Sequence, residues 1–326
     1  MPTKILVVGG AGYIGSHMVD CLRSAGYLPI VLDNLSTGHR EAVLGSELIV
    51  GDMADSRCLD ELFSQHQFAA VMHFASFIEV GESVQNPAKY YQNNVSGALQ
   101  LLQAMIKHKI KYFIFSSTAA VYGEPKYTPI DEKHPLLPIN PYGRGKRMIE
   151  QILEDFSDAY PFHFASLRYF NAAGADPNGR LGEWHEPETH LIPLVLQAAL
   201  GKKMAITVYG RDYATPDGTC VRDYVHVTDV CQAHLLVLQA LFNGKKSCFY
   251  NLGTGHGYSV QQVIDVASEV TERDIPMIDG ERRAGDPAVL VADPSCAIQE
   301  LNWQPCYSDL HTIIRHVWQV LSVIKG

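Results

Sequence analysis

Apolar, β-branched runs recur along the first half of the chain at intervals the length of a helix. They cover Ile5–Val8, Leu28–Leu32, Leu48–Val50, Ala70–Phe74, Tyr112–Phe115 and Phe164–Phe170. Each run is apolar throughout rather than alternating with polar residues, which is typical of parallel strands buried on both faces of a sheet. Parallel neighbours need crossover helices between them, so the pattern predicts a doubly wound α/β sheet.

The pattern changes after Asn171, where prolines and glycines replace the alternation of strands and helices. The later segments predict a helix over Leu191–Leu200, extended pieces over Ile206–Tyr209 and Val221–Val227, a helix over Thr228–Phe242, a strand over Phe249–Leu252 and an amphipathic helix from Val260. We therefore predict a doubly wound domain over residues 1–172 and a smaller mixed α/β domain over residues 173–326. A strand near residues 248–252 can return to the first sheet.

A glycine-rich turn follows the first predicted strand. Glycines stand at positions 9, 10, 12 and 15, and a helix and a second strand ending in Asp33 come next. This order is the fingerprint of a dinucleotide-binding βαβ unit, in which N–H groups at the helix N-terminus hold a pyrophosphate. A side chain on these glycines would collide with the ligand. The Asp33 carboxylate can accept both hydroxyls of an adenosine ribose and repels a 2′-phosphate, so we predict NAD rather than NADP.

Small and polar residues also stand where the other predicted strands end. In chain order these tips are Asp33–Asn34, Gly51–Met53, His73–Ser76, Ser116–Thr118 and Arg168–Asn171. Ligands of doubly wound sheets lie beyond the carboxyl ends of the strands, so we expect the cofactor at these tips. Asp52 has an alternative interpretation as the N-cap of the following helix.

Composition excludes several classes of protein. The chain has 326 residues, of which 47% are hydrophobic, and a net charge of −9, which argues against a nucleic-acid or acidic-membrane surface. No apolar run approaches the roughly 20 residues that cross a bilayer. The first strand begins almost at once, so we expect no signal peptide and a cytoplasmic protein. Seven scattered cysteines without a Cys-x-x-Cys motif predict reduced thiols.

Tyr142 and Lys146 open a predicted helix. The later residues Met148, Ile149, Ile152, Leu153 and Phe156 form its apolar face. A spacing of four places the phenol and the ammonium on one side of the first turn. An ammonium and a positive nicotinamide ring both favour the phenolate, so Tyr142 can serve as a general base. Thr118, at the end of the fifth strand, supplies a hydroxyl that can bridge the phenol and a sugar oxygen.

These motifs resemble the extended short-chain dehydrogenase/reductase superfamily, and within it the epimerases of UDP-sugars. The matching segments are Gly9–His17, Asp33–Leu35, Gly81–Val84, Asn93–Val95, Phe113–Gly123, Pro141–Lys146, Leu167–Asn171, Asp217–Val227, Tyr250–Gly253, Arg282–Asp286 and Leu301–Trp303. The resemblance implies a non-redox isomerisation with bound NAD+, in which a 4-keto sugar forms transiently and UDP-galactose and UDP-glucose interconvert.

The strand tips and the resemblance together imply the site residues. Those assigned to the cofactor are Gly9, Gly12, Tyr13, Ile14, Gly15, Asp33, Asn34, Asp52, Met53, Phe74, Ala75, Ser76, Asn93, Tyr142, Lys146 and Phe170. Those assigned to the UDP-hexose are Thr118, Asn171, Leu191, Tyr209, Arg222, Arg283, Asp286 and Leu290. Guanidinium groups suit a diphosphate. Arg222 could instead pair with Asp223, and Tyr209 could be a core residue.

Three positions depart from the family pattern. Thr118 replaces a common serine, Ile78 stands where some members carry a lysine near the cofactor phosphates, and Leu290 stands where a bulky tyrosine or a small residue controls entry of N-acetyl groups. The resemblance therefore leaves UDP-N-acetylglucosamine as an alternative substrate. A 4,6-dehydratase is disfavoured because Ala119 and Ala120 follow Thr118 where that reaction needs an acid and a base.

Three further interpretations concern partners and metals. The segment from His185 to His190 has the residue types of a metal site, but Pro187 breaks the helix that would align them, so we predict a polar loop and no metal. The apolar positions of Asn94–Ile106 and Met148–Phe156 suggest a homodimer, or else simple packing on the sheet. A non-catalytic NAD(H) sensor is the alternative from another class of protein, since a fold does not prove chemistry.

Overall fold

The strands form where the apolar runs predict them. A computed structural model describes residues 2–283 and 286–323, so part of the segment Arg282–Asp286 lies outside the described residues. The strands are β1 (Lys4–Val8), β2 (Leu28–Asp33), β3 (Glu47–Val50), β4 (Ala70–His73), β5 (Tyr112–Thr118), β6 (His163–Tyr169), β7 (Asn171–Ala173), β8 (Ile206–Tyr209), β9 (Val221–Arg222), β10 (Tyr224–His226), β11 (Cys248–Leu252), β12 (Tyr258–Ser259), β13 (Met277–Gly280) and β14 (Val289–Leu290).

Helices occupy most of the intervals between strands. They are α1 (Tyr13–Ser24), α2 (Ser56–Gln65), α3 (Val80–Gln85), α4 (Pro87–Tyr90), α5 (Gly97–Lys107), α6 (Pro141–Ala159), α7 (Leu191–Ala199), α8 (Val227–Phe242), α9 (Val260–Thr271), α10 (Ser295–Leu301) and α11 (Leu310–Val323). A π-helical segment, Tyr91–Ser96, joins α4 to α5, and 3-10 turns cover Arg40–Val43 and Ala119–Val121. In the part of the chain that is described, no helix is long and apolar enough to cross a membrane.

Seven strands form the main sheet, in the order β11-β6-β5-β4-β1-β2-β3. β1 pairs in parallel with β2 on one side and with β4 on the other. The strand order therefore reverses between β1 and β4, and the ends of these two strands define the switch point where doubly wound sheets bind ligands. This sheet confirms the predicted fold class.

Alternate residues of the central strands face opposite layers of helices. Leu6 and Val8 of β1 and Phe113 and Phe115 of β5 belong to a core shared with α2, α5 and α6. The intervening residues of these strands are equally buried, and α1 packs against β1 and β2. Both faces are covered, which explains why the runs are continuously apolar.

The chain divides into two compact units, each made of three segments. Unit 1 comprises Met1–Gly123, Pro135–Arg168 and Cys231–Tyr250, and unit 2 comprises Glu124–His134, Tyr169–Val230 and Asn251–Gly326. Within unit 2, residues of α7, α9 and α11 form an apolar core with β8 and β10. The division predicted after residue 172 allowed a strand near residues 248–252 to return, and β11 lies in the main sheet. Within unit 2, a β-bridge joins Ile130 to Ala292, which lie on both sides of the predicted boundary.

Candidate active site

The glycine turn joins β1 to α1, and its glycines serve different purposes. A Cβ on Gly15 would lie 2.1 Å from the Gly9 carbonyl oxygen, and Gly9 has a φ of +79°. Both glycines are therefore required by the chain itself, which corrects the interpretation that every glycine makes room for a ligand. A Cβ on Gly12 would approach no described atom closer than 3.5 Å. Packing within the chain therefore does not require a glycine at position 12, and its missing side chain leaves room for a ligand.

Gly12 is also the N-cap residue of α1. Among the described residues, no side chain caps this end of the helix, and its first turn holds no acidic residue. Tyr13 and Ile14 are the first two residues of the helix, so their N–H groups have no intrahelical acceptor. Such a terminus attracts an anion.

Asp33 ends β2 with its carboxylate held by two backbone groups. Ala11 N–H donates to Oδ2 and Leu35 N–H donates to Oδ1, each at 2.9 Å. Each oxygen keeps a second lone pair, so the carboxylate can still accept hydrogen bonds from two ribose hydroxyls. The side chain is buried, which fixes its direction for that purpose.

Asn34 and Asp52 meet at the ends of β2 and β3. Asn34 Nδ2 donates to Asp52 Oδ2 at 3.1 Å, and Ala54 N–H donates to Asp52 Oδ1 at 2.8 Å. The N-cap of α2 is Asp55, which accepts from the N–H groups of the helix's first turn, so the alternative interpretation of Asp52 as that cap is wrong. Both side chains therefore lie near the end of β2, which is where residues beside the adenosine are expected.

The loop after β4 carries the next predicted residues. The N–H groups of Phe74 and Ala75 both donate to the Val8 carbonyl, at 2.7 and 3.2 Å. Ser76 Oγ is buried and has no hydrogen-bond partner within the described ranges. A buried hydroxyl without a partner is costly, and a bound ligand would satisfy it.

Met53 and Asn93 lie next to buried polar groups. His73 Nε2 is 3.2 Å from Met53 Sδ, and burial lowers the pKa of His73 to about 3, so the ring is neutral. Asn93 lies in the π-helical segment and donates through Nδ2 to Asn94 Oδ1 at 2.8 Å. Irregular helical turns of this kind are frequent at functional sites. Phe170, the remaining predicted cofactor residue, belongs to unit 2.

The residues present fit a dinucleotide. Gly12 lies at an uncapped helix N-terminus, and Asp33 has an oriented carboxylate with spare lone pairs. Ser76 has a buried hydroxyl without a partner among the described residues. All three belong to unit 1.

The start of α6 is fixed against the end of β5. Asn140 Oδ1 caps the helix by accepting the Gly143 N–H at 2.8 Å, and Pro141 occupies the first turn. A Cβ on Gly143 would lie 2.5 Å from the Ala120 carbonyl oxygen, so glycine permits this close approach. The approach places Tyr142 beside Thr118.

Thr118 is oriented to act on the phenol. Its Oγ1 accepts the Ala120 N–H at 3.1 Å, and the hydroxyl hydrogen-bonds Tyr142. Burial raises the pKa of Tyr142 to about 12, and only the Thr118 hydrogen bond opposes that rise. The protein alone therefore holds the phenol protonated.

Lys146 lies beneath Tyr142, as the spacing of four predicts. Its Nζ lies 5.9 Å from the centroid of the Tyr142 ring and donates to the Ser116 carbonyl at 2.7 Å. Burial lowers the pKa of Lys146 to about 7, although the Glu150 carboxylate opposes this. Burial works against both the charged ammonium and the phenolate that the spacing predicts. A phenolate at Tyr142 would therefore need a further positive charge close to the ring.

A buried ion pair supports Lys146 from below. Glu150 Oε1 accepts from Ser117 Oγ at 2.8 Å and from Arg168 Nε at 2.8 Å, while Oε2 accepts from Arg168 Nη2 at 2.9 Å. Arg168 Nη1 also donates to the Tyr122 hydroxyl at 3.1 Å. This network ties α6 to β5 and β6 and was missed from the sequence. Its signal was an acidic residue on an otherwise apolar helix face, four residues after Lys146.

The predicted substrate residues of unit 2 form two groups. Arg222 Nη2 pairs with Asp286, and Arg222 Nη1 donates to the Pro287 carbonyl at 2.9 Å. Leu290 of β14 lies opposite Arg222 of β9 in a parallel pair. Asp223 instead accepts the N–H groups of Thr254, Gly255 and Ala292, so the alternative pairing with Arg222 is wrong.

Arg283 and Tyr209 form the second group. The guanidinium carbon of Arg283 lies 4.0 Å from the centroid of the Tyr209 ring. Tyr209 is 40% exposed, so its interpretation as a core residue is wrong. Asn171 begins β7 and Leu191 begins α7, in elements separate from both groups. Ile78, in unit 1, is partly exposed after β4.

These features together describe a protein of the doubly wound α/β class whose residues fit a dinucleotide and which holds a buried tyrosine beside a hydroxyl and a lysine. The chain belongs to the NAD dependent epimerase/dehydratase family, whose sequence profile matches residues 5–253.

Named relatives are similar over nearly the whole chain. The UDP-glucose 4-epimerase of Rhizobium meliloti is 51% identical over 97% of this chain and 96% of its own, and that of Halalkalibacterium halodurans is 49% identical over 96% and 94%. The crystal structure of UDP-glucose 4-epimerase from Brucella ovis in complex with NAD has a TM-score of 0.95 at 48% identity and covers 97% of both chains.

Proposed function

We propose that this chain is a UDP-glucose 4-epimerase, which interconverts UDP-galactose and UDP-glucose with bound NAD+. The observation that carries the proposal is the grouping of Tyr142, Thr118 and Lys146 at the start of α6 and the end of β5. NAD+, when bound, supplies a hydride acceptor that becomes the donor for the return step, together with a positive ring. The chain's own residues hold the ligands and move the proton.

Tyr142 is the proton carrier in both directions. It takes the proton of the sugar 4-hydroxyl as a base and returns it as an acid to the opposite configuration. The Thr118 hydroxyl, hydrogen-bonded to the phenol, steadies its oxygen and can transmit the proton. Lys146 provides the positive charge that favours the phenolate. We assign the cofactor to the unit 1 set of residues named above.

Arg222, Arg283 and Tyr209 are proposed to hold the UDP part of the substrate. A guanidinium offers paired donors to phosphate oxygens, and an exposed aromatic ring offers a face on which a uracil can stack. Arg222 is anchored through its backbone contacts and Asp286, so its remaining donors point in fixed directions. The sugar needs looser contacts, since a tightly held hexose could not present both faces.

The arrangement argues against a dehydratase. Such an enzyme needs a free carboxylic acid beside the strand-five hydroxyl. Ala119 and Ala120 follow Thr118, and the nearby carboxylate of Glu150 is committed to Arg168. A non-catalytic sensor would not need Tyr142 and Lys146 in contact.

Product analysis tests the proposal. Purified protein with NAD+ is incubated with UDP-galactose, UDP-glucose and their N-acetyl forms, and the products are separated by chromatography. We expect UDP-galactose to convert to UDP-glucose. Binding of NAD+ and UDP-galactose without conversion would contradict the proposal and favour the sensor. Conversion confined to N-acetyl sugars would favour a UDP-N-acetylglucosamine 4-epimerase and show that Leu290 admits the larger group.

We also propose a homodimer formed through α6 and its neighbours. Much of the apolar surface of α5 and α6 packs on the sheet, but Met148 of α6 and Val84 of α3, which packs against α6, are 42% and 62% exposed. Light scattering should report a dimer, and M148E with V84E should give a monomer. M204E, at a residue that is 95% exposed in unit 2, is the matched control. A monomeric wild type would contradict this.

The cytoplasm is the proposed compartment. All seven cysteines are thiols rather than disulfides within the described chain. Burial, with help from Asp20, raises the pKa of Cys21 to about 12, so this thiol is unreactive. Fractionation of cells with an antibody to the protein checks the assignment, and recovery outside the cytoplasm would contradict it.

A further inference from the structure

Four side chains of unit 2 converge just before α7. Glu183, His185, Glu188 and His190 each offer one ligand atom, and these atoms all lie within 4.8 Å of one another. The segment is an irregular loop, as the sequence predicts. The loop bends at residues 186 and 187 and brings the four groups together without the helix that the sequence argument required.

The nitrogen–oxygen distances are close to the ligand spacing of a tetrahedral metal site. His190 Nδ1 lies 2.9 Å from Glu183 Oε1 and 3.2 Å from Glu188 Oε1. His185 Nδ1 lies 3.3 Å from Glu183 Oε1 and 3.7 Å from Glu188 Oε2. With metal–ligand bonds of about 2.0–2.2 Å, neighbouring ligand atoms of a tetrahedral zinc site lie roughly 3.3–3.6 Å apart. The four nitrogen–oxygen distances straddle this range.

The two carboxylates of the cluster are buried. The side chain of Glu183 is 3% exposed and that of Glu188 is 6% exposed. Glu188 Oε1 also accepts the N–H groups of Thr189 and His190 at 2.8 Å, which fixes the carboxylate. Both imidazoles turn the same ring nitrogen, Nδ1, towards the two carboxylates.

Charge and ligand type select the ion. Two carboxylates demand two positive charges, which two imidazolium ions or one divalent cation can supply. Two imidazoles with two carboxylates suit a borderline ion such as zinc, whereas magnesium and calcium prefer oxygen alone.

We propose that Glu183, His185, Glu188 and His190 bind a divalent transition-metal ion of the zinc class, which ties this loop to the start of α7. The ion would replace two protons on the imidazoles and leave the site neutral. It is structural, since all four positions of a tetrahedron are filled by protein.

Metal content of the full-length protein, prepared without a polyhistidine tag, is the first test. After incubation with ZnCl₂ and gel filtration we expect about one zinc ion per chain, with EDTA removing it and ZnCl₂ restoring it. MgCl₂ and CaCl₂ should not compete. Absence of stoichiometric zinc would overturn the proposal and leave the cluster as protonated histidines paired with glutamates.

Substitutions identify the ligands. E183Q and H190Q should each lose the bound zinc, and H311Q should keep it. His311 is the matched control, because it faces Glu269 at 3.6 Å in an exposed pair of the same unit. If both E183Q and H190Q retain zinc, the ion is bound by the cysteines or by other residues, and the proposed ligand set is wrong.

Thermal unfolding separates metal loss from misfolding. The unfolding temperature of EDTA-treated wild type should rise on addition of ZnCl₂, because an ion that binds the native state stabilises it. H190Q should not respond, and H311Q should respond like wild type. If H190Q fails to fold, the response of the wild type still decides, since no rise with zinc contradicts a structural ion.

Discussion

Two buried regions, one in each unit, treat positive charge in opposite ways. In unit 1, burial lowers the pKa of Lys146 to about 7, and the Glu150 carboxylate, which is paired with Arg168, opposes this only in part. In unit 2, burial also opposes the charge on His190, but two carboxylates in contact raise its pKa to about 10. Burial alone therefore does not decide a protonation state; the partners available to the group decide it.

The two regions therefore suit different tasks: groups in the first can gain or lose a proton, and groups in the second stay charged. The site of unit 1 stands on regular elements in which burial outweighs the opposing interactions of Tyr142 and Lys146, and we propose that the protonation of both groups responds to a ligand. In unit 2, Arg222 and Asp286, like Glu183 and His190, stand on loops or a two-residue strand and are paired with each other. A group that changes its protonation state has little opposite charge beside it, whereas a group that stays charged has an oppositely charged partner.

The largest expected effect is at the proton carrier. Y142F removes the only hydroxyl that the proposed mechanism uses as base, so kcat should fall roughly 10³- to 10⁴-fold. NAD+ binding should persist, because Phe retains the ring packing. Steady-state turnover of UDP-galactose measures the loss of kcat, and a fluorescence titration with NADH measures dinucleotide binding. Unchanged turnover would remove Tyr142 from its assigned role.

Breaking the buried ion pair should come next. E150Q leaves Arg168, which is 3% exposed, without its carboxylate, and removal of one partner from a buried pair costs about 3–5 kcal/mol. E61Q, in the exposed Arg57–Glu61 pair, is the matched control and should cost less than about 1 kcal/mol. Denaturant unfolding measures both. Equal losses would mean that burial does not distinguish the pairs.

The parts of the fold and site that the sequence predicts are local. The β1–α1–β2 unit, its glycines and Asp33 lie within about thirty residues, and the Tyr142–Lys146 pair lies within one turn of a helix. Short-range geometry fixes these relations, so spacing reveals them. The apolar runs likewise report burial on both faces of the sheet.

The parts that the sequence does not reveal depend on tertiary contacts or irregular loops. Glu150 meets Ser117, which is 33 positions away, and Arg222 meets Asp286, which is 64 away, and no spacing rule connects them. The cluster of Glu183 and His190 spans a short segment, but its loop has no period from which directions can be predicted. Pro187 correctly predicts that this segment is not helical, but the convergence of the four side chains could not be predicted from it.

The depressed pKa of Lys146 predicts a pH dependence of stability. An unfolded lysine has a pKa of about 10.4, so between about pH 7 and pH 9 the unfolded chain binds one more proton than the folded chain. The free energy of unfolding should therefore rise with pH in this window, by up to about 1.4 kcal/mol per pH unit from this group. Below pH 7 both states are protonated, and the penalty is present in full.

K146M tests this against the wild type, both without dinucleotide. Methionine keeps the length of the side chain and removes the titration, so the difference in unfolding free energy between the two proteins should change across the window in favour of the wild type. Denaturant unfolding at several pH values gives that difference. Parallel curves for the two proteins would mean that Lys146 keeps its proton in the folded state.

The smallest expected effect concerns the paired charges of unit 2. R222K keeps the charge but loses the fork that reaches Asp286 and the Pro287 carbonyl together, so the KM for UDP-galactose should rise roughly tenfold with little change in kcat. R211K is the matched control, since Arg211 pairs with Asp279 on the surface of the same unit. If Arg222 only braces Asp286, R222K will lower the unfolding temperature and leave KM unchanged. That result would extend the contrast between the units, because the charges of unit 2 would then serve its structure alone.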